Sequence, residues 1–186
     1  EITDLQTHMN ASNFCVRFRY DMREYLKSLG DRARLDDVIQ VMETGQYSPY
    51  IEDRLAFFGA NPPDVHPADL DPPCPDYPEH EGRQSFLRDV VGSMDRARVD
   101  AIAYPTWTNP PAPMDRASEE YRGDNSQRIA PAAGLPAVTV PMGYSHGHLP
   151  AGLQLLGQPY SDALLISLAY AYEQQTRHAR PPEAFR

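Results

Sequence analysis

The hydrophobic positions along the chain change their period twice. Through the first third they recur at helical spacing. Phe14, Phe18, Met22, Tyr25 and Leu29 would share one face of a helix over about 13–29. Gly30 stands where a left-handed cap would end it. Leu35, Val38, Ile39 and Met42 predict a shorter helix reaching Glu43, with Gly45 behind it. A further turn or two is expected over 51–58, closing at Gly59. The pattern then breaks. Seven of the 18 residues from Asn61 to Pro78 are proline. A residue without an amide donor and with φ fixed lets neither helix nor inner strand persist, so this stretch reads as a surface crossing.

Helical spacing resumes in Phe86, Leu87, Val90, Val91 and Met94, which predict a helix over 81–98. Val99 to Tyr104 then reads as a short buried strand stopped by Pro105, followed by a Pro-rich loop through Asp115. A short helix is expected over 125–133, before Gly134. Ala137 to Val140, between Pro136 and Pro141, carries the clearest strand signal. Ala151 to Leu156 follows across a connection rich in Gly and His, which predicts antiparallel neighbours. The last helix is expected over 162–175, with Ser161 as N-cap and Leu164, Leu165, Leu168, Ala171 and Tyr172 turned to the core.

These elements predict an α/β fold in which helices cover about three strands. A helical segment spans 1–60, the crossing 61–78, and the α/β part 79–186, all within one domain of a larger protein. A sheet this small leaves edges exposed, which predicts self-association, with a homodimer as its simplest form.

Composition narrows the function classes. The net charge is −9, and the arginines are interleaved with Asp and Glu, so no basic patch forms for nucleic acid. No window approaches the 18 or so apolar residues that span a bilayer, so no membrane partner is expected. The chain opens on Glu1-Ile2-Thr3-Asp4, without Met, and reads as the middle of a longer or processed protein. Cys15 and Cys74 stand far apart; they are expected to be a buried apolar cysteine inside the first helix and a loop cysteine, not a framework. So few cysteines, and no leader pattern, point to the cytoplasm.

Candidate chemistry is sparse. Lys27 is the only lysine beside sixteen arginines, and it falls at the exposed end of the first helix. Ser12, Ser28, Ser85, Ser93 and Ser118 sit in polar or helical contexts, with no Gly-x-Ser-x-Gly turn to activate one. His146 and His148 show metal-compatible spacing but bring no third ligand, so no metal is expected. No nucleotide or dinucleotide fingerprint appears, and no cofactor is implied. Asp100, Asp115, Asp124 and Asp162 lie at segment ends, where capping is their ordinary use.

Four stretches share a pattern with a known family. They are Val99-Asp100-Ala101-Ile102-Ala103-Tyr104-Pro105-Thr106, Ala133-Gly134-Leu135-Pro136-Ala137-Val138-Thr139-Val140-Pro141-Met142-Gly143, Leu149 to Gly157, and Asp162 to Glu173. Together they resemble the C-terminal part of the amidase signature family. Phe18-Arg19-Tyr20-Asp21, Tyr25-Leu26, Leu29-Gly30 and Gly45-Gln46-Tyr47 are similar to the helical region between that family's halves. Pro131 departs from the Asn that many members carry three residues before the strand glycine.

The resemblance implies an α/β/α fold around a large mixed sheet. It also implies hydrolysis of a carboxylic amide by a nucleophilic serine, a bridging serine and a lysine base. Those three residues belong to a Gly-Ser-rich signature and an upstream Lys that these 186 residues do not contain, so no catalytic residue is carried over. The loop Trp107-Thr108-Asn109 and the segment Asp124-Asn125 to Arg128 fall where members shape the acyl or leaving-group pocket. Trp107, Thr108 and Arg128 are therefore the substrate-binding candidates, with Trp107 as an apolar wall and Arg128 as a fork for a substrate carboxylate. The implied partners are a small-molecule amide and the N-terminal half of the amidase. Two alternative readings stand beside this one. The first is the A component of a transamidosome-type glutamyl-tRNA amidotransferase, which shares the fold. The second is a non-catalytic interaction module that pairs through the helical first third.

Overall fold

The computed structural model describes residues 2, 4–12, 15–122 and 126–181. It separates into two units: Glu1–Ser12 with Glu81–Arg186, and Asn13–His80.

The Asn13–His80 unit holds helices α2 (Phe18–Leu29), α3 (Ile39–Thr44) and α4 (Glu52–Gly59). None of the three has a fully buried residue. Polar clamps from α2 hold it instead. Arg19 donates from Nε to both Asp37 carboxylate oxygens at 3.0–3.1 Å, with Nη2 in the same ion pair at 3.0 Å, and from Nη1 to the carbonyls of Gly59 and of Asn61, the latter at 2.8 Å. Arg23 pairs with Asp64 at 2.7 Å, and the Tyr20 ring meets His66 edge-on. Arg17 bonds Asp21, donates to the Pro75 carbonyl at 3.2 Å and pairs with Asp76 at 2.7 Å. Four positions within two turns thus grip both ends and the middle of the Pro-rich crossing. That crossing holds only single turns of 3₁₀ helix, at Pro67–Asp69 and Tyr77–Glu79.

The two cysteines overturn the expectation set for them. Cys15 and Cys74 form a disulfide, with Cα atoms 5.7 Å apart. Cys15 precedes α2 and is not inside it, while Cys74 is fully buried. Separation along the chain hid the pairing, because the crossing returns past the start of α2 and lays Cys74 against Cys15. The same return shortens the first helix to begin at Phe18; Asn13 and Phe14 lie outside the described residues. Gly30 does end α2, at φ 54°. The second helix begins at Ile39, later than Leu35, because Asp37 accepts from the Ile39 amide and Gln40 from the Asp36 amide, which spends 35–38 on an entry turn.

In the other unit, α1 (Leu5–Ala11), α5 (Glu81–Ala97) and α7 (Ile129–Ala133) share a core with one face of a sheet. The sheet is antiparallel, ordered β1 (Ala101–Pro105), β3 (Leu149–Gly157), β2 (Ala137–Ser145). Phe86, Val90 and Met94, one stripe of α5, are fully buried with Leu156 and Ala133. Helix α8 (Asp162–Thr176) covers the opposite face, where Leu165 and Ala169 meet Val140 and Leu155. The result is three layers, helix–sheet–helix, in which the period-2 strands show one face to each helical layer. Helix α1 had no sequence-based expectation of its own.

Several details differ from the sequence expectation. Helix α8 buries Leu165 and Ala169 while Leu164 and Leu168, expected at the core, are exposed, and β1 begins at Ala101 with Val99 exposed. Ser161 occupies the N-cap position of α8, but its hydroxyl donates to the Gln158 carbonyl at 2.7 Å and caps no amide. The strands also run longer, so β2 and β3 are joined by residues 146–148 alone, with His146 and Gly147 at positive φ. No helix among the described residues is long and apolar enough to cross a membrane.

Candidate functional site

The loop after β1, the bulged part of β2 and the start of β3 enclose a cavity of about 620 Å³. Its construction follows from local sequence. Pro105 ends β1, and Thr106 still pairs its amide with the Gly152 carbonyl at 2.8 Å. Ser126 donates from Oγ to the carbonyls of Pro105 and Thr106, fixing where the chain leaves the sheet. Thr106 and Thr139 bring their hydroxyls to 3.5 Å across β3. A Cβ on Gly152 would sit 2.7 Å from the Thr139 methyl and 2.9 Å from the Thr106 hydroxyl, so only glycine fits beneath them.

The loop beyond is closed on itself. The Asn109 amide donates to Thr108 Oγ1 at 3.2 Å and to the Arg122 carbonyl, tying residue 109 to residue 122. Trp107 and Tyr121 meet edge-on with ring centres 5.7 Å apart. Between them run Pro110, Pro111 and Pro113, the last followed by a 3₁₀ turn at Met114–Arg116 and a one-turn helix α6 (Ala117–Glu120). Three prolines limit the backbone freedom that the closed loop must give up. The β2 side adds Met142. Pro141 pairs with Gly152 and Gly143 with Ala151, so Met142 is the extra residue of a bulge, and it lines the cavity.

The wall is therefore mostly apolar: Trp107, Tyr121, Met142 and prolines, with Thr108, Asn109, Arg122 and Ser145 as polar members. Trp107 is 37% exposed, its ring forming part of the open mouth. Among the described lining residues are the hydroxyls of Thr108 and Ser145, but no His, Lys, Asp or Glu that could take a proton from them. The described residues thus form an apolar cleft without a group placed to activate a nucleophile.

Of the candidates read from the sequence, Trp107 and Thr108 line this cavity. Arg128 ends the 3₁₀ turn Ser126–Arg128 at the entry to α7 and is not among the lining residues. Asp124 and Asn125 lie outside the described residues. Tyr121, Arg122 and Met142 are lining residues that sequence reasoning passed over. Their signal was faint: a Tyr-Arg pair at the far end of a Pro-rich loop, and a Met beside a strand proline.

The other chemistry-bearing groups are scattered. Lys27 pairs with Glu24 at 2.6 Å on the surface of α2. Ser12 and Ser28 donate to carbonyls of their own turns. His148 contacts the His146 carbonyl at 2.8 Å in the β2–β3 turn. His8 stacks on Phe86 and approaches Asp89 at 3.5 Å, joining α1 to α5.

Comparison with known proteins bears on this segment. Residues 77–166 match the family model described as Amidase. The A component of the glutamyl-tRNA(Gln) amidotransferase of Symbiobacterium thermophilum is 41% identical over 101 residues, which cover 50% of this chain and 20% of that protein. The structure titled PAM12A superposes with a TM-score of 0.70 at 26% identity, over 98% of this chain and 37% of the other. The native peptide amidase of Stenotrophomonas maltophilia gives 0.64 at 25% identity, over 96% and 36%. The chain thus spans about a fifth of the curated relatives it matches and little more than a third of these solved structures. Its helices and small antiparallel sheet have the arrangement of those neighbours. Residues 77–166, which contain every described residue of the cavity wall, match the Amidase family model and carry the likeness to the amidase signature family.

Proposed function

We propose that the chain is the C-terminal portion of an amidohydrolase that converts a carboxylic amide to its acid and ammonia or an amine. The cavity behind Trp107 takes the apolar part of that amide. The observation that carries this reading is that every residue lining the cavity falls inside the family segment 77–166. In the implied reaction a serine oxygen attacks the amide carbonyl, the amine leaves with a proton, and water then releases the acid. The described residues of the lining supply no base for that attack, and the sequence holds no Gly-Ser-rich signature. The Ser-Ser-Lys group therefore belongs outside these 186 residues, and this portion contributes binding surface. The substrate and the N-terminal half of the enzyme are its partners.

The direct test is amide hydrolysis by the purified chain and by the same chain joined to its upstream coding sequence. The first is expected to be inactive and the second active. Turnover by the 186 residues that survives contaminant controls overturns the assignment of the chemistry elsewhere. An upstream sequence without a Gly-Ser-rich signature and a Lys favours a non-catalytic module instead.

The 41% identical relative supports a second reading, the A component of a glutamyl-tRNA amidotransferase. Such a component would draw ammonia from glutamine, whereas a stand-alone amidase would accept apolar amides. Glutamine and 3-phenylpropanamide, compared as substrates of the extended protein, separate the two. The Cys15–Cys74 disulfide favours an oxidising compartment over the cytoplasm that the low cysteine count suggested.

A further inference from the structure

The cavity has one feature that an apolar amide would not use. Among the described residues lining it, Arg122 is the single cation. Its Nη1 donates to the carbonyls of Glu119 and Tyr121, both at 3.0 Å. Those two bonds consume both Nη1 hydrogens and hold the guanidinium plane in place. The remaining edge, Nε–H with the outer Nη2–H, has no hydrogen bond and no ion pair among the described residues. That edge is the side of a guanidinium whose two parallel N–H bonds match the two oxygens of a carboxylate.

The described acids nearby do not fill this role. Of the neighbouring acids, Asp115 and Glu120 pair with Arg116, and Glu119 meets Arg122 through its backbone carbonyl. Arg122 also borders a second depression of about 480 Å³, which shares Asn109, Pro110, Pro111 and Ala112 with the first. What sets this arginine apart is its place: it lines the cavity, in a chain where acids outnumber bases 26 to 17. It lines the same cavity as Trp107 and Tyr121, whose rings meet edge-on.

We infer that Arg122 selects an anionic substrate: an amide whose apolar, ring-bearing part also carries a carboxylate. The ring packs against Trp107 and Tyr121, and the carboxylate takes the Nε–Nη2 edge of Arg122. This deepens the proposed function and rests on the cavity being the substrate site. A carboxylate held by two charge-assisted bonds should bind at least about ten times more tightly than its neutral isostere.

Trp107 is the only tryptophan, so its fluorescence reports the cavity directly in the 186-residue chain. The experiment titrates 3-phenylpropanoate and its neutral isostere 3-phenylpropanamide, following Trp107 emission. The expected result is a preference of about tenfold or more for the carboxylate, falling toward one in Arg122→Gln. Arg122→Lys keeps the charge without the fork and is expected to lose most of the preference. Should either variant fail to fold by circular dichroism, salt carries the test in the unaltered chain. Raising NaCl to about 0.5 M should weaken the carboxylate and leave the amide unchanged. Equal binding of both probes, insensitive to Arg122 and to salt, overturns the selection by Arg122 and leaves the cavity as an amide site. No change in Trp107 emission with either probe overturns both.

Discussion

The two units of this chain reach order by opposite routes. In the sheet unit, α5 sends Phe86, Val90 and Met94 completely out of water, and Leu156 and Ala133 close around them. In the helical unit, α2, α3 and α4 bury no residue fully; the fully buried positions described there are Pro67 and Cys74, both in the crossing. What the helical unit lacks in apolar burial it replaces with a covalent tie and three arginine clamps. Short segments with little core need such staples, because burial alone cannot offset the entropy of ordering them. The difference separates what each unit is sensitive to: cavities and overpacking in one, redox state and acid in the other.

The largest expected effect tests the first half of that contrast. Phe86→Ala should cost about 3–5 kcal/mol, from lost transfer energy and the cavity left behind. Urea unfolding followed by Trp107 emission reads it, since Trp107 belongs to the sheet unit. Proteolysis within 61–78 of the oxidised chain should change little. A parallel rise in that proteolysis would mean that the two units unfold together.

Next in size is the disulfide. It closes a separation of 59 residues, for which chain entropy gives a stabilisation of about 4 kcal/mol. Replacing both cysteines, Cys15→Ser with Cys74→Ser, should open the crossing to protease while moving the Trp107 midpoint by no more than about 0.5 kcal/mol. Equal losses in the two readouts would break the comparison. Mass spectrometry before and after a dithiol reductant, with alkylation, confirms the bond itself.

The smallest effects are those of pH, and they have opposite sign in the two units. Burial pushes the Asp37 carboxyl up, but hydrogen bonds from Arg19 and the Ile39 amide, with the charges of Arg19 and Arg23, bring it below its ordinary value. The unfolded chain therefore takes up the proton first. Stability from this group is complete above the unfolded value of 3.8 and drains away as pH falls through the lower folded value. Pepsin cleavage within 15–80 should rise over that range and rise earlier in Arg19→Gln. In the sheet unit, burial alone pushes the Tyr104 phenol up to about 12. Between pH 10, its unperturbed value, and about 12, the unfolded state ionises while the folded state keeps its proton, so the sheet unit loses stability in alkali. Tyr104→Phe should remove that loss from the Trp107-monitored urea midpoint. It should cost little at neutral pH, because the hydroxyl is buried without a hydrogen-bond partner. An alkaline loss that persists in the variant would assign it to another group.

Much of the sheet unit was legible in the sequence. The stripe of α5 appears as Phe86, Val90 and Met94 at helical spacing, and prolines bracket the strand residues from Ala137 to Val140. Local period and local breakers suffice for α5 and β2; they do not for α8, where Leu165 and Ala169 are buried but Leu164 and Leu168 are exposed. The strands' extra length was not legible. The bulge at Met142 lets β2 continue past Pro141, which period alone treats as a stop. Within the site, Trp107 and Thr108 were legible as loop residues after a strand. Tyr121 and Arg122 were not, since it is the closure of Asn109 on the Arg122 carbonyl that carries them back to Trp107 across thirteen residues.

The helical unit shows the same boundary more sharply. Its helices, its crossing and the glycine that ends α2 follow from spacing and from the missing amide donors of proline. Whether Cys15 and Cys74 are two thiols or one bond does not. That depends on 59 residues of chain returning to within 5.7 Å, and on arginines that choose carbonyl and carboxylate partners across the same return. Residue order alone sets which segments can be helix, strand or neither, because those preferences belong to each residue and its near neighbours. Which distant groups meet is settled only once the chain has folded: the disulfide, the clamps, and an arginine that lines a cavity together with Trp107 and Tyr121. Such meetings are properties of closed paths through space, and no local pattern encodes them.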